Sequence, residues 1–221
     1  MDDKRVTWET SAAEQLAEKC ASRGSTSPLL CAVCGPPGSG KSTSAQILKR
    51  LLDAKLRVAV LPLDGFHFPL AHLRSWPDAE DAVYYRGAAR TFDRAAIEES
   101  LRSLSNGEPV CWPDFDHAVG DPMATTEPVT PSSLDLIIVE GLYTLVFEEL
   151  HNFWGFSIGI DANVDECVEL LKKRNAVIPG YTLEEIHKRC EVVDRGNADA
   201  VVQSLSSASL RVQSAAFASS D

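Results

Sequence analysis

The sequence contains no apolar run approaching the roughly 20 residues that cross a bilayer. Its opening, Met1-Asp2-Asp3-Lys4-Arg5, lacks the apolar stretch of a secretory signal. These two absences make a cytoplasmic protein with no membrane partner the expectation. Basic residues are scarce as well: 21 Lys and Arg stand against 32 Asp and Glu, a formal net charge of -11. Phosphate backbones are gripped by clustered Lys and Arg, so nucleic acid is excluded as a main partner. Six cysteines in 221 residues are too few for a disulfide scaffold. Cys31-x-x-Cys34 lies in a strand-like run, where positions i and i+3 face opposite sides, and no second CxxC exists; zinc or redox chemistry is not expected. What remains is an ordinary globular composition, 44% hydrophobic and 24% charged, long enough for one domain over residues 1–221.

One stretch carries the strongest signal. Gly35-Pro36-Pro37-Gly38-Ser39-Gly40-Lys41-Ser42-Thr43 fits G-x-x-x-x-G-K-[ST], the P-loop. The glycines let the backbone turn tightly and aim N–H groups inward as an anion nest. A helix N-terminus behind the loop favours the same phosphates. Lys41 can reach the β- and γ-phosphates of ATP, and the Ser42 hydroxyl can ligate Mg²⁺. The acidic balance does not oppose this, because local dipoles and a metal hold the phosphates. Context agrees: Leu29 to Cys34 before the loop is a buried-strand run, and Ser44 to Leu52 after it reads as an amphipathic helix.

The rest of the chain alternates in the same manner. A leading helix covers about 7–22, with Leu16 and Cys20 on one face. Leu56 to Leu63 is a second strand, ending in Asp64-Gly65-Phe66-His67. Residues 67–94 show little periodicity and read as a long functional loop. Asp93 is placed to cap a helix running to Leu104. Pro109 to Trp112 reads as a short strand, paired with Thr125 to Ser133 at a sheet edge. Leu134 to Gly141 and Phe156 to Ile160 are further strands, 164–174 a helix broken by Pro179-Gly180, and Thr182 to Glu185 a capping box. Asn197 to Leu205 closes the helices and Ala208 to Val212 the strands. This pattern predicts a doubly wound, mostly parallel α/β sheet with flanking helices, a core of about 29–212 and a lid of about 172–182. Ligands in such sheets sit at the carboxyl ends of strands, so the P-loop, Asp64, Asp116-His117, Glu140 and Asp161 are expected to share one site.

Phosphoryl transfer needs an acidic group to orient Mg²⁺ and one to receive the acceptor's proton. Glu140, ending the apolar run Ile137-Ile138-Val139, suits the first role; Asp64 suits the second, with a water-mediated contact to Mg²⁺ as well. His67, Asp116 and His117 lie on loops, where a polar substrate can meet them. The developing charge calls for a cation: Arg174 leads, at the end of Lys172-Lys173-Arg174, and Arg86, Arg90, Arg189 and Arg195 are the other free ones.

Taken as an ordered set, these motifs resemble the superfamily of uridine kinase, phosphoribulokinase and bacterial-type pantothenate kinase. The P-loop and Leu61-Pro62-Leu63-Asp64-Gly65-Phe66-His67 carry the resemblance, with Arg86-Gly87-Ala88-Ala89-Arg90-Thr91-Phe92-Asp93 after them. Pro113-Asp114-Phe115-Asp116-His117, Ile138-Val139-Glu140-Gly141-Leu142-Tyr143 and Asp194 with Asn197 complete it, over about Leu29 to Val212. The resemblance implies the P-loop nucleoside triphosphate hydrolase fold and an ATP-dependent kinase acting on a small-molecule hydroxyl. It implies Asn197 near the adenine, and Arg86, Asp116 and His117 in the acceptor pocket, with Tyr143 of the Glu140 motif read beside them. The acceptor stays open among pantothenate-like, nucleoside, glycerate and sugar alcohols. An ATP-dependent switch and a standalone hydrolase are the alternatives, and the chain permits a homodimer.

Overall fold

In the computed structural model, residues 7–24, 27–116, 119–177 and 180–214 are described. Helix α1 (Trp8–Ser22) leads into β1 (Leu29–Cys34), the P-loop and α2 (Lys41–Leu52). Next come β2 (Val58–Pro62), a 3-10 turn Leu63–Phe66, the short helices α3 (Leu70–Leu73) and α4 (Ala79–Tyr84), and α5 (Arg94–Ser105). A small hairpin, β3 (Asp114–Asp116) and β4 (Asp121–Met123), precedes β5 (Leu136–Glu140) and β6 (Phe156–Asp161). Helices α6 (Val164–Asn175), α7 (Leu183–Arg189) and α8 (Arg195–Ser204) follow, and β7 (Leu210–Gln213) is last.

The main sheet has five strands in the order β2-β5-β1-β6-β7, and every pair is parallel. Burial on both faces explains why its central strands read as continuous apolar runs. In β1 the side chains alternate: Leu29, Cys31 and Val33 enter the core beneath α1 and α2, while Ala32 and Cys34 pack on the other face with Val201 and Leu205 of the C-terminal segment. The two cysteines of the CxxC therefore face opposite sides, as the strand period requires. Helix α2 buries Ser44, Ala45, Leu48 and Leu52 against this face, and α1 adds Ala12, Ala13 and Leu16.

The caps behave as the sequence predicts. The Asp93 side chain accepts from the Ala96 amide, and Thr182 with Glu185 forms a reciprocal capping box. Between α7 and α8 lies a π turn, Cys190–Asp194, which keeps the helical arm continuous from Leu183 to Ser204.

Two expectations need correction. Pro109 to Trp112 is not a strand; it makes a single antiparallel bridge, Val110 with Val129, through bonds of 3.1 and 2.8 Å. Pro109 and Pro113 remove ladder donors on both sides, so regular pairing begins only at Asp114. The hairpin formed there is separate from the main sheet. The aperiodic 67–94 region is not a plain loop either: α3, α4 and a 3-10 turn at Ala89–Thr91 fold it around the rings of Phe68, His72 and Trp76. No helix among the described residues is long and apolar enough to cross a membrane.

Candidate active site

Register fixes the floor of the site. Glu140, the last residue of β5, pairs with Pro62 on one side and Val33 on the other. The carboxyl ends of β2, β5 and β1 are thus level and adjacent, bringing Asp64, Glu140 and the P-loop together. Glu140 is only 8% exposed.

The P-loop is shaped by its glycines. Gly38 and Gly40 have φ of +82° and +85°, which side-chain-bearing residues rarely adopt. A Cβ on Gly35 would lie 2.6 Å from Ser39 Oγ, and one on Gly38 would lie 3.0 Å from the Cys167 carbonyl of α6. The concave backbone that phosphates need is therefore present. Ser39 is buried, and its hydroxyl has no partner among the described residues. Its carbonyl accepts from Ser214 Oγ at 2.8 Å, which ties the end of β7 to the loop. Pro36 and Pro37 are buried, whereas Ser42 and Thr43 are exposed at the start of α2. Behind them Ser44 donates to buried Glu9 of α1 at 3.0 Å, a brace that sequence reasoning did not find.

Lys41 makes no hydrogen bond or ion pair among the described residues, and the same holds for the half-buried Asp64 carboxylate. The Asp64 backbone carbonyl is engaged, 2.7 Å from His67 Nδ1. That contact makes Nδ1–H the donor, leaving Nε2 as acceptor. The imidazole packs tilted against Phe92, centroids 3.9 Å apart, and lies 5.1 Å from Phe115. Burial lowers the His67 pKa, opposed by Asp64 and reinforced by the charges of Arg86 and Arg189. The ring is neutral at pH 7.

The hairpin closes over this turn. Arg86, 11% exposed, pairs with Asp121 at 2.6 Å, donates to the Phe68 carbonyl at 3.2 Å and to the Gly120 carbonyl, and lies over Phe115. Asp116 is a cross-strand neighbour of Asp121 and accepts from the Val119 amide at 3.2 Å. It belongs to the hairpin and does not end a strand of the main sheet. His117 lies outside the described residues, as do residues 178 and 179 of the expected lid. Asp161 ends β6, the neighbour of β1 on the side away from β5, and is held by Arg211 of β7 at 2.6 Å.

The free cations of the sequence reading are mostly engaged. Arg90 pairs with Asp78, Arg195 with Asp165 and Glu191, and Arg189 donates to the Tyr84 and Arg86 carbonyls. Arg174 is exposed and donates only to its neighbour Asn175 at 3.2 Å. Tyr143 corrects another expectation. At 1% exposure it is a buried fixture, its hydroxyl donating to the Gly87 carbonyl at 2.7 Å and its pKa raised by burial. Asn197, expected near the adenine, is buried with its amide on that same carbonyl at 3.1 Å. Asp194 was quoted in the sequence only as part of a motif. It is a half-buried carboxyl whose pKa burial raises, opposed by Arg189, the Cys190 thiol, Arg174 and Lys41.

A glycine-built anion cradle at the end of a parallel strand, with acidic residues at the ends of the next two strands of the sheet, defines a P-loop kinase acting on small molecules. The chain belongs to the Phosphoribulokinase / Uridine kinase family, whose model matches residues 30–218. It is 34% identical over 188 residues to YggC, an uncharacterized protein of Escherichia coli (strain K12), covering 82% of this chain and 76% of that one. It is 30% identical over 148 residues to a pantothenate kinase of Pasteurella multocida (strain Pm70), covering 62% of this chain but only 45% of that enzyme. Among solved structures, one from Silicibacter sp. TM1040, provisionally named a fructose transport system kinase, matches with a TM-score of 0.81 at 27% identity, over 93% of this chain and 98% of that one. A D-glycerate 3-kinase from Cryptococcus neoformans var. grubii shares the fold, with a TM-score of 0.65 at 17% identity over 89% and 90% of the two chains.

Proposed function

We propose that the protein transfers the γ-phosphoryl group of ATP to a hydroxyl of a small-molecule metabolite, with Mg²⁺. The observation that carries this reading is the Asp64 carboxylate. It is half-buried, has no partner among the described residues, and stands at a strand end one strand away from Glu140 and two from the P-loop. A carboxylate held in that position without a hydrogen bond is suited to receive a proton.

The chain's own groups divide the work. Backbone N–H groups of residues 35–43 cradle the phosphates, and Lys41 reaches the β/γ oxygens. Arg174 swings from the end of α6 to meet charge developing on the transferred group. Asp64 orients the acceptor hydroxyl and takes its proton, while the neutral His67 offers Nε2 to a second polar group of the acceptor. Ser42 and Glu140 would hold the metal, with Asp64 reaching it through a water. No group of three His, Cys, Asp or Glu side chains able to hold a metal occurs among the described residues. That fits an ion bound by one or two protein oxygens and completed by phosphates, as Mg²⁺ commonly is. Mg²⁺ held there would offset the charge of the phosphates.

The test is a coupled ADP-release screen over pantothenate, D-glycerate, uridine and D-fructose, with Lys41→Ala as the blank. One alcohol should drive ADP formation, and Asp64→Asn should lower kcat by about 10²–10⁴ while nucleotide still binds. ADP release that ignores every acceptor, and is unchanged in Asp64→Asn, overturns the proposal.

A further inference from the structure

The arm formed by α7, the π turn and α8 grips one short backbone segment on the acceptor side of the site. Arg189 donates from Nη1 to the Tyr84 carbonyl and from Nη2 to the Arg86 carbonyl, the latter at 2.6 Å. Asn197 donates to the Gly87 carbonyl at 3.1 Å, beside the Tyr143 hydroxyl at 2.7 Å. Two side chains of one arm therefore hold three carbonyls within four residues. The segment presents them because Gly87 adopts φ +103° and its own N–H is turned back onto Thr91 Oγ1 at 2.9 Å.

Arg189 acts on the Asp194 carboxyl through its charge and not through a direct bond. It has no ion-pair partner among the described residues. Fixing a long guanidinium on neutral carbonyls costs side-chain entropy, so the contact serves geometry. Ion pairs join the same arm to α6: Glu191 with Lys172 at 2.6 Å and Arg195 with Asp165 at 2.7 Å. The arm thus meets α6 through two residues and segment 84–87 through two others. Helix α6, which carries Arg174, also rests on the P-loop at Gly38.

We propose that Arg189, assisted by Asn197, is a positioning residue that ties segment 84–92 to the nucleotide site, so that filling the P-loop fixes the acceptor wall. The proposal rests on the kinase reading above. Phosphates that immobilise Lys41 and Arg174 steady α6 and the arm, and the arm passes the restraint to carbonyls 84, 86 and 87. This is coupling through reduced mobility, carried by a contiguous set of contacts.

The experiment is hydrogen exchange with and without AMPPNP and Mg²⁺, with binding followed by calorimetry. In the wild type, AMPPNP should slow exchange at 35–43 and also, about fivefold or more, at 84–92. In Arg189→Gln, protection of 35–43 should persist while the slowing at 84–92 falls below about twofold. Arg189→Lys, which retains a donor, should recover part of it, and Asn197→Ala should lose part. A purely structural role would raise exchange at 84–92 in both states and leave their ratio intact. An intact ratio in Arg189→Gln, or no slowing at 84–92 in wild type that binds AMPPNP, overturns the proposal. Should Arg189→Gln fail to fold, Arg189→Lys and Asn197→Ala decide by the same ratio. Wild type that neither binds AMPPNP nor protects 35–43 overturns the kinase reading, and this inference with it.

Discussion

Gly65 offers the sharpest test of how the acceptor side is assembled. It follows Asp64 directly, and its backbone does not lie in the left-handed region. Its constraint is proximity: a Cβ there would sit 2.1 Å from the Pro113 carbonyl oxygen, 2.4 Å from its carbon and 3.0 Å from the Asp114 nitrogen. All three are backbone atoms, so no side chain can rotate away. Overpacking costs about 1–3 kcal/mol, and a backbone collision belongs at the upper end. Gly65→Ala should therefore lose about 3 kcal/mol in urea unfolding, and Tm should fall by about 6–12 °C for a chain of this size. The strain opens the contact between the Asp64 turn and the β3–β4 hairpin. Acceptor-dependent turnover should drop accordingly, while AMPPNP affinity stays near that of wild type. Gly24→Ala is the control, since nothing lies within 4 Å of its Cβ position. A Gly65→Ala variant within about 0.5 kcal/mol of wild type refutes the close approach, a shift that size being ordinary for a surface substitution. A loss confined to nucleotide affinity refutes the assignment of this contact to the acceptor side.

Two further outcomes follow from the ionisable groups. Arg57 chelates Asp135 at 2.7 Å and holds its carboxyl at about 2, below the unfolded value near 3.9. The pair's stabilisation is complete above pH ~4 and is lost as pH falls through about 2, so the gap between wild type and Asp135→Asn in acid unfolding should close over that window; a constant gap would contradict it. Cys111 is the one exposed cysteine, while Cys31, Cys34, Cys167 and Cys190 are buried, the last two with thiols pushed up to about 11. A disulfide reagent at pH 8 should find one fast thiol, abolished in Cys111→Ser, a slower one at half-buried Cys20, and four that react only in denaturant; rapid labelling of Cys34 or Cys167 would mean that the P-loop face opens in solution.

The donor half of the site was legible because its signals are local. The P-loop is nine consecutive residues whose types follow from a single job. The strands were legible because burial on both faces leaves only apolar residues in a short run, as in Ile137-Ile138-Val139. Where those strands end, register does the rest, and Asp64 and Glu140 fall beside the loop without any side chain having to reach. The Asp93 cap and the Thr182 box depend on partners three residues away, within range of a sequence pattern.

The acceptor half has no such grammar, because its bonds join side chains to distant backbone carbonyls. The Gly87 carbonyl receives Tyr143 from 56 residues away and Asn197 from 110. Every residue has a carbonyl, so nothing in residue type announces which one is the target. For this reason Arg86 and Arg189 read as free cations when one is paired and the other clamped, and Tyr143 read as a pocket residue when it is a buried support. One regularity does survive in the sequence. Tyr143 stands three residues beyond Glu140, and Asn197 three beyond Asp194, and both converge on Gly87. In each pair the second residue donates its hydrogen bond to the Gly87 carbonyl. A three-residue spacing between an acid and a hydrogen-bond donor, placed once after a strand and once within a helical arm, thus brings two distant parts of the chain onto one carbonyl.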